Sequence, residues 1–151
     1  MNDFRILDLA GSLQRASFHR GLIRAARELA PEGVAVEPYE KLGEVPFFNQ
    51  DVEDEGNPAP VRDPKEKIRE ADAILIATPE YDYAIPGILT VALDWALRSS
   101  SPMRHKPVGI LGASPGGAGT ARGQMVLRQI LLHAPAYVVP EPQMLIPYAR
   151  E

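Results

Sequence analysis

Residues 74–94 read ILIATPEYDYAIPGILTVALD, an apolar run, a proline-flanked polar turn and an amphipathic segment opening at Pro86. That order predicts a strand, a loop and a helix. The strand, Ala73–Ala77, is continuously apolar, as a parallel strand covered on both faces requires. In an open α/β sheet, ligands bind beyond the carboxyl ends of the strands, where the strand order reverses. The turn Thr78–Pro86, with its aromatic and acidic groups, is therefore a pocket candidate, and two other turns, Gly11–Arg20 and Gly112–Thr120, can face the same place.

Upstream, Phe4–Ala10 is a short apolar-rich strand broken by Gly11-Ser12. Ser17 is placed to cap a helix whose apolar positions Leu22, Ile23, Ala26, Leu29 and Ala30 follow helical spacing. Pro31-Glu32-Gly33 ends that helix, and Val34–Pro38 is a second strand. Glu40–Pro60 has no clear period and carries Gly43, Pro46, Gly56, Pro58 and Pro60, which reads as a long surface loop. Its acidic cluster Asp51, Glu53, Asp54 and Glu55 lacks the ordered spacing of a calcium loop. Pro60–Ala71 reads as an exposed helix with Val61, Ile68 and Ala71 facing inward.

Downstream, Ser99–Lys106 is a polar turn, Pro107–Leu111 a fourth strand, Gly112–Gly119 a glycine-rich loop, and Thr120–His133 a helix capped by Thr120. Tyr137–Val139 gives a fifth strand. Alternating strands and helices predict a single domain over residues 1–151, built as a doubly wound parallel sheet with right-handed crossovers. Such a sheet usually closes with a helix, but Pro140, Pro142 and Pro147 block one in the remaining segment. Either the chain is truncated or another body, such as a second subunit, covers that face.

Composition narrows the function classes. A chain of 151 residues with 45% hydrophobic content is large enough to bury a core but too short for two enzyme domains. The net charge of −4, with both signs scattered, gives no basic face for nucleic acid and no basic amphipathic helix for a membrane surface. The absence of cysteine removes disulfides, thiol nucleophiles and thiolate metal sites. The N-terminal segment shows no signal pattern and no stretch reaches a membrane span, so a soluble cytoplasmic protein acting on small molecules is expected. His19, His105 and His133 are scattered, and no metal site is expected.

Each of the three turns supports more than one reading. In GSLQRASFHR, Ser12, Ser17 and the amides of the following helix form an anion site with Arg15 and Arg20; an ordinary capped helix with surface arginines is the plainer alternative. In TPEYDYAIP, Glu80 and Asp82 are acceptors, and Tyr81 and Tyr83 offer flat faces for a planar ring or for core packing. Trp95, well inside the following helix, belongs to the core or to a subunit interface. In GASPGGAGT, Gly112, Ser114 and Gly116 match the nucleophile elbow of serine hydrolases, yet His133, the only later histidine, precedes both remaining acids, contrary to the order that fold uses. Close backbone approach to a flat ligand is the alternative use of the glycines.

Four segments taken in order, GSLQRASFHRGLIRAA, FFNQDVE, ATPEYDYAIPGILTVALDWALR and KPVGILGASPGGAGTARGQMVLRQIL, resemble the NADPH-dependent FMN reductase family of flavodoxin-like quinone, azo and chromate reductases. The resemblance implies a flavodoxin-like sheet of order 2-1-3-4-5 with FMN at the switch point, NADPH or NADH as co-substrate, no catalytic side chain, and homodimers or homotetramers. By the same resemblance Ser12, Gln14, Arg15, Ser17, Phe18 and His19 hold the FMN phosphate. Pro79, Glu80, Tyr81 and Asp82 then line the isoalloxazine, with Ser114, Gly116 and Gly117 on its other side. The family usually shows arginine at Gln14 and asparagine at His19 and Asp82. Gln14 removes a charged phosphate contact that Arg15 or a protonated His19 can replace, and Asp82 sets a carboxylate near a ring that gains negative charge. An FMN-dependent oxidoreductase acting on a quinone, azo, nitro, chromate or flavin acceptor is the leading expectation. A flavin-binding electron carrier and a degenerate non-catalytic member are the alternatives.

Overall fold

The computed structural model describes residues 4–98 and 100–150. Ser99, the first residue of the expected polar turn, and Glu151 lie outside them. The sheet is parallel, in the order β2 (Val34–Pro38), β1 (Phe4–Ala10), β3 (Ala73–Ala77), β4 (Pro107–Ala113), β5 (Tyr137–Val138). The reversal of strand order falls between β1 and β3, which pair from Ile6↔Ala73 to Ala10↔Ala77. The first three strands end where the sequence pattern puts them, because proline and glycine bound each apolar run.

The expected fifth strand, Tyr137–Val139, ends one residue early, and a sixth strand that was not expected follows it. β5 pairs with the start of β4 through Tyr137 and Val138, and β6 (Met144–Ile146) pairs with its end through Leu111, Gly112 and Ala113. Pro140 and Pro142 fall between the two; proline has no N–H to donate to a ladder, so pairing stops at Val138 and resumes at Met144. Among the described residues no helix follows β6.

Among the described residues five α-helices connect and cover the strands: α1 (Phe18–Glu28), α2 (Gln50–Asp54), α3 (Ala59–Glu70), α4 (Gly87–Ala96) and α5 (Ala121–Leu131). Leu7, Leu9, Ile74, Ile76, Val108 and Ile110 alternate onto one face of the sheet and pack with Ile68, Leu89, Leu93, Leu127 and Leu131 of α3, α4 and α5. The opposite positions Asp8 and Ala10 face a cavity beside α1, lined from that helix by the buried Ile23 and by Arg20, Arg24 and Arg27. Glu40–Pro60 is more ordered than a surface loop. It holds a 3-10 turn at Leu42–Glu44 and the short α2, capped by the Asn49 side chain. Trp95 anchors it, donating its indole N–H to the Pro46 carbonyl at 2.8 Å and packing edge-on against Phe48. Trp95 is thus a core residue, 1% exposed. No helix of the described residues is long and apolar enough to cross a membrane.

Candidate functional site

The loops after β1, β3 and β4 meet at the carboxyl ends of those strands around a cavity of about 240 Å³, lined by Ser12, Gln14, Ala16, Ser17, Phe18, His19, Pro79, Glu80, Tyr81, Ala113, Ser114 and Pro115. Close backbone approach makes this possible. A Cβ on Gly11 would lie 2.7 Å from Leu89 Cδ1 and 2.9 Å from Pro79 Cδ, so only glycine lets the first loop cross the exit of β3.

The first wall is the start of α1. Ser17 caps the helix, its hydroxyl accepting from the Arg20 amide at 3.1 Å, and the Ser12 hydroxyl accepts from the Gln14 amide at 3.3 Å. Among the hydrogen bonds of the described residues the amides of Phe18 and His19 have no acceptor. Orphan N–H groups at the positive end of a helix dipole suit an anion, and α1 has no acidic residue in its first turn to compete for them.

His19 joins the three loops but not as a cation. It is 4% exposed, and the Ala113 amide donates to its Nε2 at 3.4 Å, so that nitrogen is an acceptor. Burial pulls its pKa down to about 4 against the opposing effect of a hydrogen bond with the Thr78 backbone. The expectation of a protonated His19 at the phosphate is therefore replaced by a neutral imidazole holding the end of β4 beside the start of α1.

The second wall is fixed by Glu80. Its carboxylate accepts from the Arg122 and Gly123 amides, each at 2.9 Å, and from the Arg122 side chain at 2.6 Å. Glu80 thus caps α5 across the chain, a role that the sequence reading gave to Thr120. Thr120 instead adopts the left-handed region at φ 68° and makes no side-chain cap bond; its hydroxyl accepts from the side-chain Nε2 of the buried Gln124. Arg122 also stacks over Tyr83, with its guanidinium 3.9 Å from the ring centroid.

Nine of the thirteen residues proposed from the sequence line this cavity: Ser12, Gln14, Ser17, Phe18, His19, Pro79, Glu80, Tyr81 and Ser114. Four stand elsewhere. Arg15 lines the neighbouring cavity beside α1. Asp82 sits on an exposed turn at φ 51°, in an open depression with Glu80, Tyr83 and Arg122, because the Tyr81–Ala84 bridge tips the loop outward. Gly116 and Gly117 are exposed beyond the rim. Two glycines of this loop approach the chain itself, a Cβ on Gly112 lying 2.6 Å from the Thr78 carbonyl oxygen and one on Gly117 2.9 Å from the Tyr148 hydroxyl, whereas a Cβ on Gly116 would meet open space. Ala16, Ala113 and Pro115 complete the lining and were not singled out in the sequence, since nothing polar marks them.

The nucleophile-elbow reading fails on geometry as well as on residue order. Ser114 shares the cavity with His19, yet its hydroxyl donates to the Gly116 carbonyl at 3.1 Å, while the histidine Nε2 is engaged by Ala113. No base is in place to activate the serine.

A parallel sheet with a polar, anion-ready cavity at its switch point defines the class of flavodoxin-like α/β oxidoreductases, and similar solved structures agree. The flavoenzyme NAD(P)H:(acceptor) oxidoreductase FerB from Paracoccus denitrificans superposes with a TM-score of 0.88 at 30% identity, over 94% of this chain and 78% of that one. An NAD(P)H-dependent FMN reductase of Pseudomonas aeruginosa is 40% identical over 150 residues, 99% of this chain and 80% of that protein. A quinone reductase of Escherichia coli K12 is 38% identical over 143 residues, 93% of this chain and 76% of its relative. The model of the NADPH-dependent FMN reductase family matches residues 4–151, and the chain belongs to that family. Its chemistry is that of an FMN-dependent NAD(P)H oxidoreductase.

Proposed function

We propose that the protein, a single flavodoxin-like domain, reduces a small acceptor of the quinone, azo, nitro, chromate or flavin class at the expense of NADH or NADPH, with FMN held in the cavity at the β1/β3 switch point. The observation that carries this reading is the convergence of three loops on the free amides at the start of α1, flanked by the Ser12 and Ser17 hydroxyls. The donor set fits a phosphate monoester, and the flat faces of Pro79 and Tyr81 with the Ser114 side fit a planar ring system. The chemistry FMN supplies when bound is hydride acceptance from a nicotinamide and onward reduction of the second substrate.

The chain's own residues position and shield. Ser12, Gln14 and Ser17 with the Phe18 and His19 amides hold the phosphate. Pro79, Glu80 and Tyr81 flank the ring, and Glu80 keeps that loop rigid through its bonds to α5. Arg15, Asp82, Gly116 and Gly117 border the site and act on the part of a nicotinamide or acceptor that reaches past the rim. Exposed Tyr81, Tyr83, Met125, Leu132 and Tyr148 support a homodimer or homotetramer. The cytoplasm, with its NAD(P)H supply, is the proposed location.

Titrating FMN into the purified chain, followed by steady NADPH oxidation with benzoquinone, tests the reading. Saturable binding at micromolar affinity with acceptor-dependent turnover supports it. Binding without turnover points to an electron carrier, and no binding removes the flavin from the site.

A further inference from the structure

A second cavity of about 240 Å³ lies between α1 and the end of β2, sharing only Ser12 with the first. Arg20, Arg24 and Arg27 stand four and three residues apart, so they line one face of α1, and Arg15 joins them from the preceding loop. Among the described residues only Arg20 of these four makes an ion pair, with Glu40 at 3.3 Å. Like charges on one helix face repel, and Arg20 in the first turns of the helix opposes its dipole. At the base of the cavity Asp8 is 1% exposed, and both its carboxyl oxygens lack a hydrogen-bond partner. The Arg20 Nε is likewise buried without a partner. Unsatisfied acceptors and an unsatisfied donor facing one cavity are costs that nothing inside the chain offsets.

We propose that this cavity binds a small phosphorylated polyol, either free or as the phosphorylated ribose of a nucleotide, with the arginines on the phosphate and Asp8 on a hydroxyl of the sugar. Guanidinium groups match phosphate oxygens in pairs, and four of them facing one acid at the rim favour a dianion over a carboxylate. The charged and titratable groups around Asp8 are Arg15 from the loop, Arg20, Arg24 and Arg27 from α1, and Tyr39 and Glu40 from the segment after β2. The Tyr39 hydroxyl is committed, donating to Asp63 at 2.8 Å. Burial, with a smaller push from Glu40, raises the Asp8 carboxyl to about 8. Below that pH it both donates to and accepts from a hydroxylated ligand; above it, a carboxylate faces the phosphate.

The test is calorimetric titration of the whole chain, with FMN in excess and again without it, using ribose 5-phosphate, adenosine 2′,5′-bisphosphate and inorganic phosphate as probes. Saturable binding of either organic phosphate, tighter than inorganic phosphate, is expected, weakening between pH 7 and pH 9. Arg24→Gln/Arg27→Gln should lose tenfold or more in affinity; Arg24→Gln alone, a milder change, should lose severalfold and serves if the double variant does not fold. Asp8→Asn should bind at pH 7 and lose the pH dependence. Tighter binding of the bisphosphate identifies the nucleotide source, and tighter binding of ribose 5-phosphate the free sugar. The proposal is overturned by no saturable binding of either organic phosphate, by affinity indifferent to the arginine variants, or by displacement of the probe by FMN.

Discussion

Replacing Asp8 by asparagine should stabilise the protein, and by an amount that grows with pH. The side chain lies in the middle of β1, 1% exposed and without a hydrogen-bond partner, and burial raises its pKa from an ordinary 3.8 to about 8. A carboxyl whose folded pKa is raised binds its proton more tightly when folded, so its contribution to stability is most favourable below pH 3.8. That contribution declines as pH rises toward about 8 and is level above it. Within that window wild-type stability falls by about 1.4 kcal/mol per pH unit on account of this group. Asparagine keeps the shape and does not ionise, so the gap between Asp8→Asn and wild type should widen by ~2.7 kcal/mol from pH 5 to pH 7. For a chain of this size that is a melting-temperature difference growing by roughly 5–10 °C. Thermal and urea unfolding of both proteins at pH 5, 7 and 9 would read it directly. A gap that stays constant across these pH values would refute the argument, since it would mean that Asp8 is solvated or paired in solution.

Other substitutions probe the walls of the first cavity. Ser17→Ala removes the cap of α1 and should cost about 1 kcal/mol of stability, whereas Ser17→Gly should cost a few tenths; both should weaken FMN binding alike, and unchanged FMN affinity in either would take the hydroxyl out of the site. Glu80→Ala leaves the Arg122 and Gly123 amides without their acceptor and should cost about 1–3 kcal/mol in urea unfolding; a midpoint equal to that of wild type would mean that water replaces the cap at no cost. His19 has a depressed folded pKa, so its contribution is fully present above its ordinary 6.5 and is lost as pH falls toward about 4. His19→Gln should flatten that acid limb by up to ~3 kcal/mol, measured by unfolding at pH 4 and pH 7; an unchanged limb would show that the imidazole is hydrated.

Much of the fold was legible because its punctuation is chemical. Gly11, Pro31-Glu32-Gly33, Pro79 and Pro86 bound the first three strands and the two helices that begin at the site, and the apolar runs between them have only one period. Legibility declined where a residue's partner lies far along the chain. Thr120 stands where a capping residue should, and nothing in the local sequence says that Glu80, forty residues earlier, takes that role. The same holds for His19, which burial keeps neutral and whose Nε2 accepts from the Ala113 amide at the far end of another strand. Asp8 could have been found. A lone carboxylate inside FRILDLA, a strand that must be covered on both faces, is costly unless something receives it, and that conflict is visible without coordinates.

The chain after β5 shows how local prohibition leaves the global answer open. Prolines at 140, 142 and 147 exclude a helix, but they do not exclude strand pairing beyond the break, and Met144–Ile146 returns to the end of β4. From there the backbone locks the third loop: the Ser114 amide donates to the Ile146 carbonyl at 3.0 Å, the Tyr148 amide to the Gly116 carbonyl at 3.1 Å, and the Ala149 amide to the Ser114 carbonyl at 2.9 Å. Gly119, at φ 53° and with a Cβ position 2.9 Å from the Ile146 amide, is glycine because this segment passes over it. Gly117, beneath Tyr148, and Gly119 therefore owe their identity to the segment that covers them. The loop's one contribution to the cavity, the Ser114–Pro115 corner, is held in place by bonds that come from thirty residues downstream.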